Sequence, residues 1–562
     1  MVFTIFSITL VALGSKRFAS ISNLGMIAST SPLYFVGIAI LILAIVLGLC
    51  NNHVSPSLSI IQVLLLEGFL WYVPAQIFPS LPFPGSNHDF YFYSNWFGLL
   101  KAGHLQPQVL SYQAYPGAYL LISEIITIVG FSNAVTLFQL TPFILNVAVT
   151  LFLLVGFRAI IGKDQSRVVI LAILIFQLFN FTGVLAVYTF FSVGYVFFYL
   201  GLSLAAAFGV FSSRARRLGN KELLLLFLLF AAVSITHPEI PLVLLGVLIF
   251  PLTFKAILTK NTNEVLQVLR MGIVLASVII GWVFIGGYAF LHGFGPGIVT
   301  AFLNPLGTFL GAGTVQLLNS AAGGHLITNY LKIATTLLVA FVALPMVIEG
   351  IMKRSVPVMS LVLGLLGIAF TAVLVGNIQG FGYVPRVFSY SLPILAVFAG
   401  VTLSRARRLT TIIILVFLTI SVPIFFATNY SDLAVDNIPP SVIDASVYFA
   451  GHAPLASQTN HANIYELQII GFYGYNLNTI YPYYSIIFPN NNPQLNSPSN
   501  LFSAKSLQGI SYFVLGSNTA QQVGFFYGNS SRIREATVLS TSNSSYNLVY
   551  SGNTTLLFSL RT

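Results

Sequence analysis

Long apolar runs alternate with short polar intervals over most of the chain, at about 33–50, 58–79, 133–156, 168–186, 187–211, 222–236, 240–258, 271–291, 331–350, 356–375, 387–403 and 410–427. A helix needs roughly 20 apolar residues to cross the hydrocarbon core of a bilayer, so the pattern predicts about twelve transmembrane helices. Pro116 to Gly130 is shorter, at about 15 residues, and carries Glu124, which suits an interfacial or re-entrant helix whose backbone bonds close within the segment. Met1 to Leu13 is too short to span and has no basic region ahead of it, so it is not read as a cleaved signal. From about 428 the composition turns to Asn, Ser, Tyr, Gly and Pro, with strand-like runs such as Ile510 to Leu515 and Tyr546 to Tyr550 between turn residues. The expected division is a transmembrane domain over 1–427 and a soluble domain, α/β or mainly β, over 428–562.

Composition agrees with lipid as the main solvent, since 56% of residues are hydrophobic and 7% charged. The formal net charge of +11 is spread in short clusters between apolar runs, not gathered in one patch, which argues against a nucleic-acid partner. The clusters are Arg158, Lys163 and Arg167; Arg214, Arg216, Arg217 and Lys221; Lys255, Lys260 and Arg270; Lys353 and Arg354; and Arg405, Arg407 and Arg408. Under the positive-inside rule all five are cytoplasmic, and the spans between them are consistent with that assignment. The loop at about 80–132, the segments near 187, 237–239, 292–330 and 376–386, and the tail are then outside. Sequons at Asn429, Asn529, Asn543 and Asn553 agree, although an Asn- and Ser-rich tail also makes them by chance. Lys16 and Arg17 fit neither side simply. The single cysteine, Cys50, excludes an internal disulfide and cysteine-rich metal sites.

Ionisable residues are costly in a membrane domain, so their placement carries information. Asp164, Glu222, Glu264 and Glu349 lie beside basic clusters and read as solvated loop charges, which leaves Glu67, Asp89, Glu124 and Glu239 before the tail. His88, His104, His237, His292 and His325 all fall in segments placed outside. The densest stretch runs Asn87-His88-Asp89-Phe90-Tyr91-Phe92-Tyr93-Ser94-Asn95-Trp96, followed by Tyr112-Gln113-Ala114-Tyr115-Pro116-Gly117. On a helix, Asp89, Tyr93 and Trp96 share one face, a carboxylate beside aromatic rings of the kind that stack on sugars. The same Asp can serve as the N-cap of an interfacial helix. Glu67, near the centre of its span, should face the protein interior.

These features resemble the GT-C membrane glycosyltransferases, which take a sugar from a polyprenyl-phosphate carrier at the outer or lumenal face. The resemblance rests on the acidic residue in the first large external loop with His and Tyr nearby, the Tyr115-Pro116-Gly117 opening of an interfacial helix, Thr236-His237-Pro238-Glu239 at an outer helix junction, the late external Arg386, and the soluble C-terminal domain. It implies an inverting transferase that moves a sugar from a polyprenyl (dolichyl) phosphate donor to an external glycan or protein acceptor. Asp89 would be the base, Arg386, His237 and Lys101 would contact the donor phosphate, and His88, Tyr93, Trp96, Tyr115 and Glu239 would contact sugar or acceptor. Arg386 suits phosphate because its guanidinium is a permanent, planar, forked donor; the same residue can anchor at the interface by snorkelling. Several relatives hold a divalent metal between paired acidic residues. Asp89 has no acidic neighbour, so no metal and no other cofactor is expected, and His88, Asp89 and His237 make a poor metal site because adjacent residues seldom converge on one ion. The rival reading is a transporter or flippase for a lipid-linked or hydrophobic solute, for which only Glu67 lies near the midplane.

Overall fold

The computed structural model describes residues 1–15, 27, 30–50, 55–77, 114–129, 134–162, 164–180, 190–212, 219–259, 262–287, 323–379, 383–405 and 408–430, with strands at 459–461, 480–482, 512–516, 546–551 and 555–560. The helices are α1 Val2–Gly14, α2 Pro32–Cys50, α3 Pro56–Glu67, α4 Val73–Ile77, α5 Gly117–Val129, α6 Ala134–Ile161, α7 Ser166–Phe179, α8 Phe190–Ala207, α9 Asn220–Thr236, α10 Ile240–Thr259, α11 Thr262–Ile285, α12 Gly323–Met352, α13 Val356–Gln379, α14 Tyr383–Ser404 and α15 Arg408–Tyr430. Among the described residues, six helices are long and apolar enough to cross a membrane, and six shorter apolar helices accompany them. Several helices outrun the apolar runs that marked them: α6 continues to Ile161 and α12 opens at Gly323. Hydropathy drops at polar residues while backbone hydrogen bonding continues, so apolar runs understate helix length. Arg158 falls in the last turn of α6, where a cation meets the negative end of the helix dipole.

The bundle is built from close pairs: α1 on α2, α6 on α8, α10 on α13, and α14 on both α7 and α12. In lipid the apolar effect does not distinguish protein from solvent, and association depends on close backbone approach. At the α10–α13 crossing a Cβ placed on Gly367 would lie 2.4 Å from the Gly246 carbonyl oxygen, and one on Gly246 would lie 2.8 Å from that of Gly367. The two helices touch backbone to backbone.

Proline explains the π turn near the start of the chain. Between α3 and α4 the chain makes a π turn over Gly68–Tyr72. Pro74 has no N–H, and its ring crowds the carbonyl of residue i−4, so the ladder widens just before it. The carbonyls Pro74 would have served are those of Leu70 in α geometry and Phe69 in π geometry. Both are taken over from outside: the Tyr430 hydroxyl donates to the Leu70 carbonyl at 2.6 Å, and the Tyr34 hydroxyl donates to that of Phe69. Trp71, Phe425 and Phe426 pack around these two tyrosines. Tyr430→Phe keeps the ring and leaves the Leu70 carbonyl buried without a donor, so a loss of about 1–2 kcal/mol of stability is expected, read as a lower thermal midpoint in detergent; an unchanged midpoint would show that the turn needs no such cap.

Several polar residues within the bundle bond across helices. Glu67 is 1% exposed, and its Oε1 accepts from Thr150 Oγ1 at 2.6 Å and Gln177 Nε2 at 2.7 Å. Glu67, Thr150 and Gln177 lie eleven positions from Pro56, Ile161 and Ser166, terminal residues of α3, α6 and α7, roughly 16 Å at 1.5 Å per residue, which is about half the hydrocarbon thickness. Glu67 thus faces the interior as its sequence position implies. Lys255, assigned above to a cytoplasmic cluster, is instead buried, and its Nζ donates to the Gly209 carbonyl at 2.8 Å just beyond α8. Its charge serves a helix end. Glu349 pairs with Lys353 at 2.6 Å and with Arg405, so it ties α12 to α14 where both meet basic clusters. The Nδ2 of Asn429, the atom a sequon glycan would occupy, donates to the carbonyls of Asn180 and Phe425, each at 3.1 Å. That residue is engaged in helix packing, and its sequon is better explained by composition than by modification.

Beyond α15 the described residues are strands. β1 Thr459–His461 pairs in parallel with β2 Ile480–Pro482. β3 Tyr512–Gly516 and β4 Tyr546–Ser551 flank β5 Thr555–Leu560 in an antiparallel sheet with a register shift between Leu548 and Tyr550. β3 and β4 form over the two strand-like runs, Ile510 to Leu515 and Tyr546 to Tyr550.

Candidate functional site

Thr236-His237-Pro238-Glu239 sits where α9 ends and α10 begins, at the end of the bundle remote from the basic clusters. His237 has extended backbone angles, φ −151° and ψ 136°, and Pro238 follows it. Proline just ahead of a helix is favourable, because its missing N–H would have had no helical partner. The usual Ser, Thr or Asp is replaced here by imidazole: His237 Nδ1 accepts from the backbone N–H of Glu239 at 3.2 Å and of Ile240 at 3.4 Å. With Nδ1 accepting, the neutral ring carries its proton on Nε2. Burial, and then the charge of Arg386, hold the His237 pKa well below its usual value.

Glu239, one residue past the proline, is 1% exposed. Its Oε2 meets Arg386 Nη1 at 3.3 Å, and its Oε1 accepts from the Tyr390 hydroxyl at 3.0 Å. Arg386 lies in the first turn of α14 with its side chain 14% exposed. A cation at a helix N-terminus opposes the dipole, and a mostly buried one needs a partner; Glu239 supplies it from 147 residues away. Tyr390 is one turn beyond Arg386 on the same face of α14. It stacks on Tyr195 of α8 with centroids 4.8 Å apart and planes at 6°, and meets Phe198 edge-on at 4.9 Å.

Tyr115-Pro116-Gly117 reaches the same place. Tyr115 and Ala114 are buried against Trp282 near the end of α11, and Gly117 rests so close to the end of α9 that an added Cβ would lie 2.4 Å from Thr236 Oγ1. Only glycine admits this approach. On the far side Gly194 of α8 backs onto His237. Thus five residues, Tyr115, His237, Glu239, Arg386 and Tyr390, are brought to this end of the bundle from three parts of the sequence. Tyr195 and Tyr390 were not singled out from the sequence, although Tyr390 stands four residues after Arg386, a spacing that puts both on one helix face. Asp89, His88, Tyr93, Trp96 and Lys101 lie outside the described residues. Among the described residues no group of three or more His, Cys, Asp or Glu gathers as a metal site would require.

No protein-family model matches the chain, and no curated protein matches it by sequence. Solved structures do. ArnT from Cupriavidus metallidurans, solved bound to undecaprenyl phosphate, is 12% identical, with 89% of this chain and 97% of that one covered and a TM-score of 0.50. The chain shares its fold with ArnT. The archaeal oligosaccharyltransferase AglB from Archaeoglobus fulgidus, solved with an inhibitory peptide and a dolichol-phosphate, is also 12% identical over 84% of this chain and 72% of that one, with a TM-score of 0.47. At such identity the likeness to ArnT establishes the fold alone. The helical membrane architecture expected from the sequence is present among the described residues, in the fold shared with ArnT.

Proposed function

We propose that the chain is an inverting glycosyltransferase that moves a sugar from a polyprenyl (dolichyl) phosphate carrier to an external glycan or protein acceptor, without a metal. The observation that carries this reading is the mostly buried Arg386, held by Glu239 at the end of the bundle remote from the basic clusters, in a fold shared with a protein solved bound to undecaprenyl phosphate. Glycosyl transfer needs a base for the acceptor proton, a donor set for the leaving phosphate and an apolar groove for the lipid. Arg386 and the Nε2–H of His237 supply donors near one point. Asp89, from the loop at 80–132, supplies the base. Tyr115 and the aromatic residues of that loop supply surfaces for sugar and acceptor, and Lys101 a second cation. The tail, which carries nine Asp, Glu, Lys and Arg residues from 428 onward, positions or recognises the acceptor on the same outer side.

The test is direct transfer. Purified protein in nanodiscs, given a polyprenyl-phosphate-linked sugar and cell-surface acceptor extract, should release polyprenyl phosphate, and external glycans of cells lacking the protein should lose one sugar by mass spectrometry. Arg386→Lys keeps the charge and loses the fork, so the donor KM should rise by about tenfold. Unaltered external glycans together with a normal Arg386→Lys variant would move the transporter reading ahead.

A further inference from the structure

Building on that functional reading, we infer that Glu239 is the positioning residue of the site: it sets the direction of the Arg386 guanidinium toward a lipid-linked phosphate, and Tyr390 and His237 hold Glu239 in place. The sequence suggests a different role for Glu239, contact with sugar or acceptor. Its carboxylate, however, is 1% exposed, and both of its oxygens are engaged, Oε2 by Arg386 and Oε1 by Tyr390.

Each end of Glu239 is anchored separately. Its backbone N–H is fixed by His237 Nδ1 in the cap of α10, so the residue starts a helix from a defined angle. Its carboxylate is fixed by the Tyr390 hydroxyl, and the Tyr390 ring is held in turn between Tyr195 and Phe198. Next to Tyr390, the carbonyl of Ser389 accepts from the Tyr199 hydroxyl at 3.2 Å, which ties this turn of α14 to α8 a second time. Arg386 has a long side chain with many rotamers and sits where the helix dipole disfavours it. Left alone it would swing toward water or lipid headgroups. A buried carboxylate in a rigid frame selects one rotamer, and forked recognition of phosphate depends on that selection.

Removing the carboxylate has two opposed effects. It takes away a negative charge that competes with phosphate for the guanidinium, and it releases the guanidinium from its orientation. Positioning predicts that the second effect wins. Binding of undecaprenyl phosphate to the full chain in nanodiscs decides this, measured for wild type, Glu239→Gln, Arg386→Met, the double variant and Tyr390→Phe, with thermal midpoints alongside. Glu239→Gln should weaken binding by about tenfold, and the double variant should bind no worse than Arg386→Met alone, because the carboxylate acts only through the arginine. Tyr390→Phe, which keeps the ion pair and the ring stack, should weaken binding by about threefold, and it serves as the decisive variant if Glu239→Gln does not fold.

Glu239→Gln binding as tightly as wild type, or more tightly, overturns the positioning role, as does an effect that simply adds to that of Arg386→Met. Tyr390→Phe binding like wild type overturns it too. Wild-type protein that binds undecaprenyl phosphate no better than empty discs overturns the functional reading and this one with it, whereas normal wild-type binding with an unaffected Glu239→Gln removes only the positioning role.

Discussion

Asp89→Asn is expected to lower sugar transfer by about 10²–10⁴-fold, the usual contribution of a general base, while the protein stays folded and still binds its donor. Asparagine keeps the size of aspartate and nearly all of its helix-capping ability, so a residue that only capped an interfacial helix would give a change of a few tenths of a kcal/mol at most and near-normal turnover. An amide cannot take the acceptor's proton at working pH. Asp89 is the one acidic residue in the aromatic stretch 87–96. It belongs to the loop that leads into Tyr115-Pro116-Gly117, and that turn packs beside Thr236 and Trp282. The described end of that loop therefore lies beside the junction that carries Glu239. Rates of polyprenyl phosphate release by purified wild type and variant decide between base and cap, and near wild-type release would remove Asp89 from the chemistry.

Gly367→Val is expected to destabilise the bundle by about 3 kcal/mol, at the upper end of what overpacking usually costs. The obstacle to a side chain at Gly367 is the backbone of Gly246, which cannot turn away as a side chain could. α13 must move off α10, and α10 begins with the residues that hold Arg386. Donor binding should fall along with stability. Gly281 in α11 is the control, because a Cβ there meets nothing within 4 Å; Gly281→Val should stay within about 0.5 kcal/mol of wild type. Thermal midpoints in one detergent compare the two, and equal midpoints would show that close approach at the α10–α13 crossing is not a source of stability.

The amino-acid sequence by itself determined that this is a helical membrane protein, because stretches of apolar residues this long have one stable arrangement in lipid, with every backbone group bonded within its own segment. It also singled out the Thr236-His237-Pro238-Glu239 junction and Arg386, which the fold brings together, since charge inside such a protein is costly and therefore informative. The interior place of Glu67 was legible for the same reason. Helix ends were less so: α7 stops at Phe179 and α12 opens at Gly323, where hydropathy alone gives no boundary. Tertiary structure alone decided who pairs with whom. Glu239 and Arg386 are separated by 147 residues in sequence, and no local pattern says that the start of α10 and the start of α14 meet. Nor does composition reveal that Tyr34 and Tyr430 cover the carbonyls Pro74 leaves open, or that Lys255 is spent on the end of α8. The physical difference is range. Solvation acts on each residue where it stands and can be read along the chain, whereas hydrogen bonds and ion pairs depend on which helix surfaces come within about 3 Å of one another, and packing sets that.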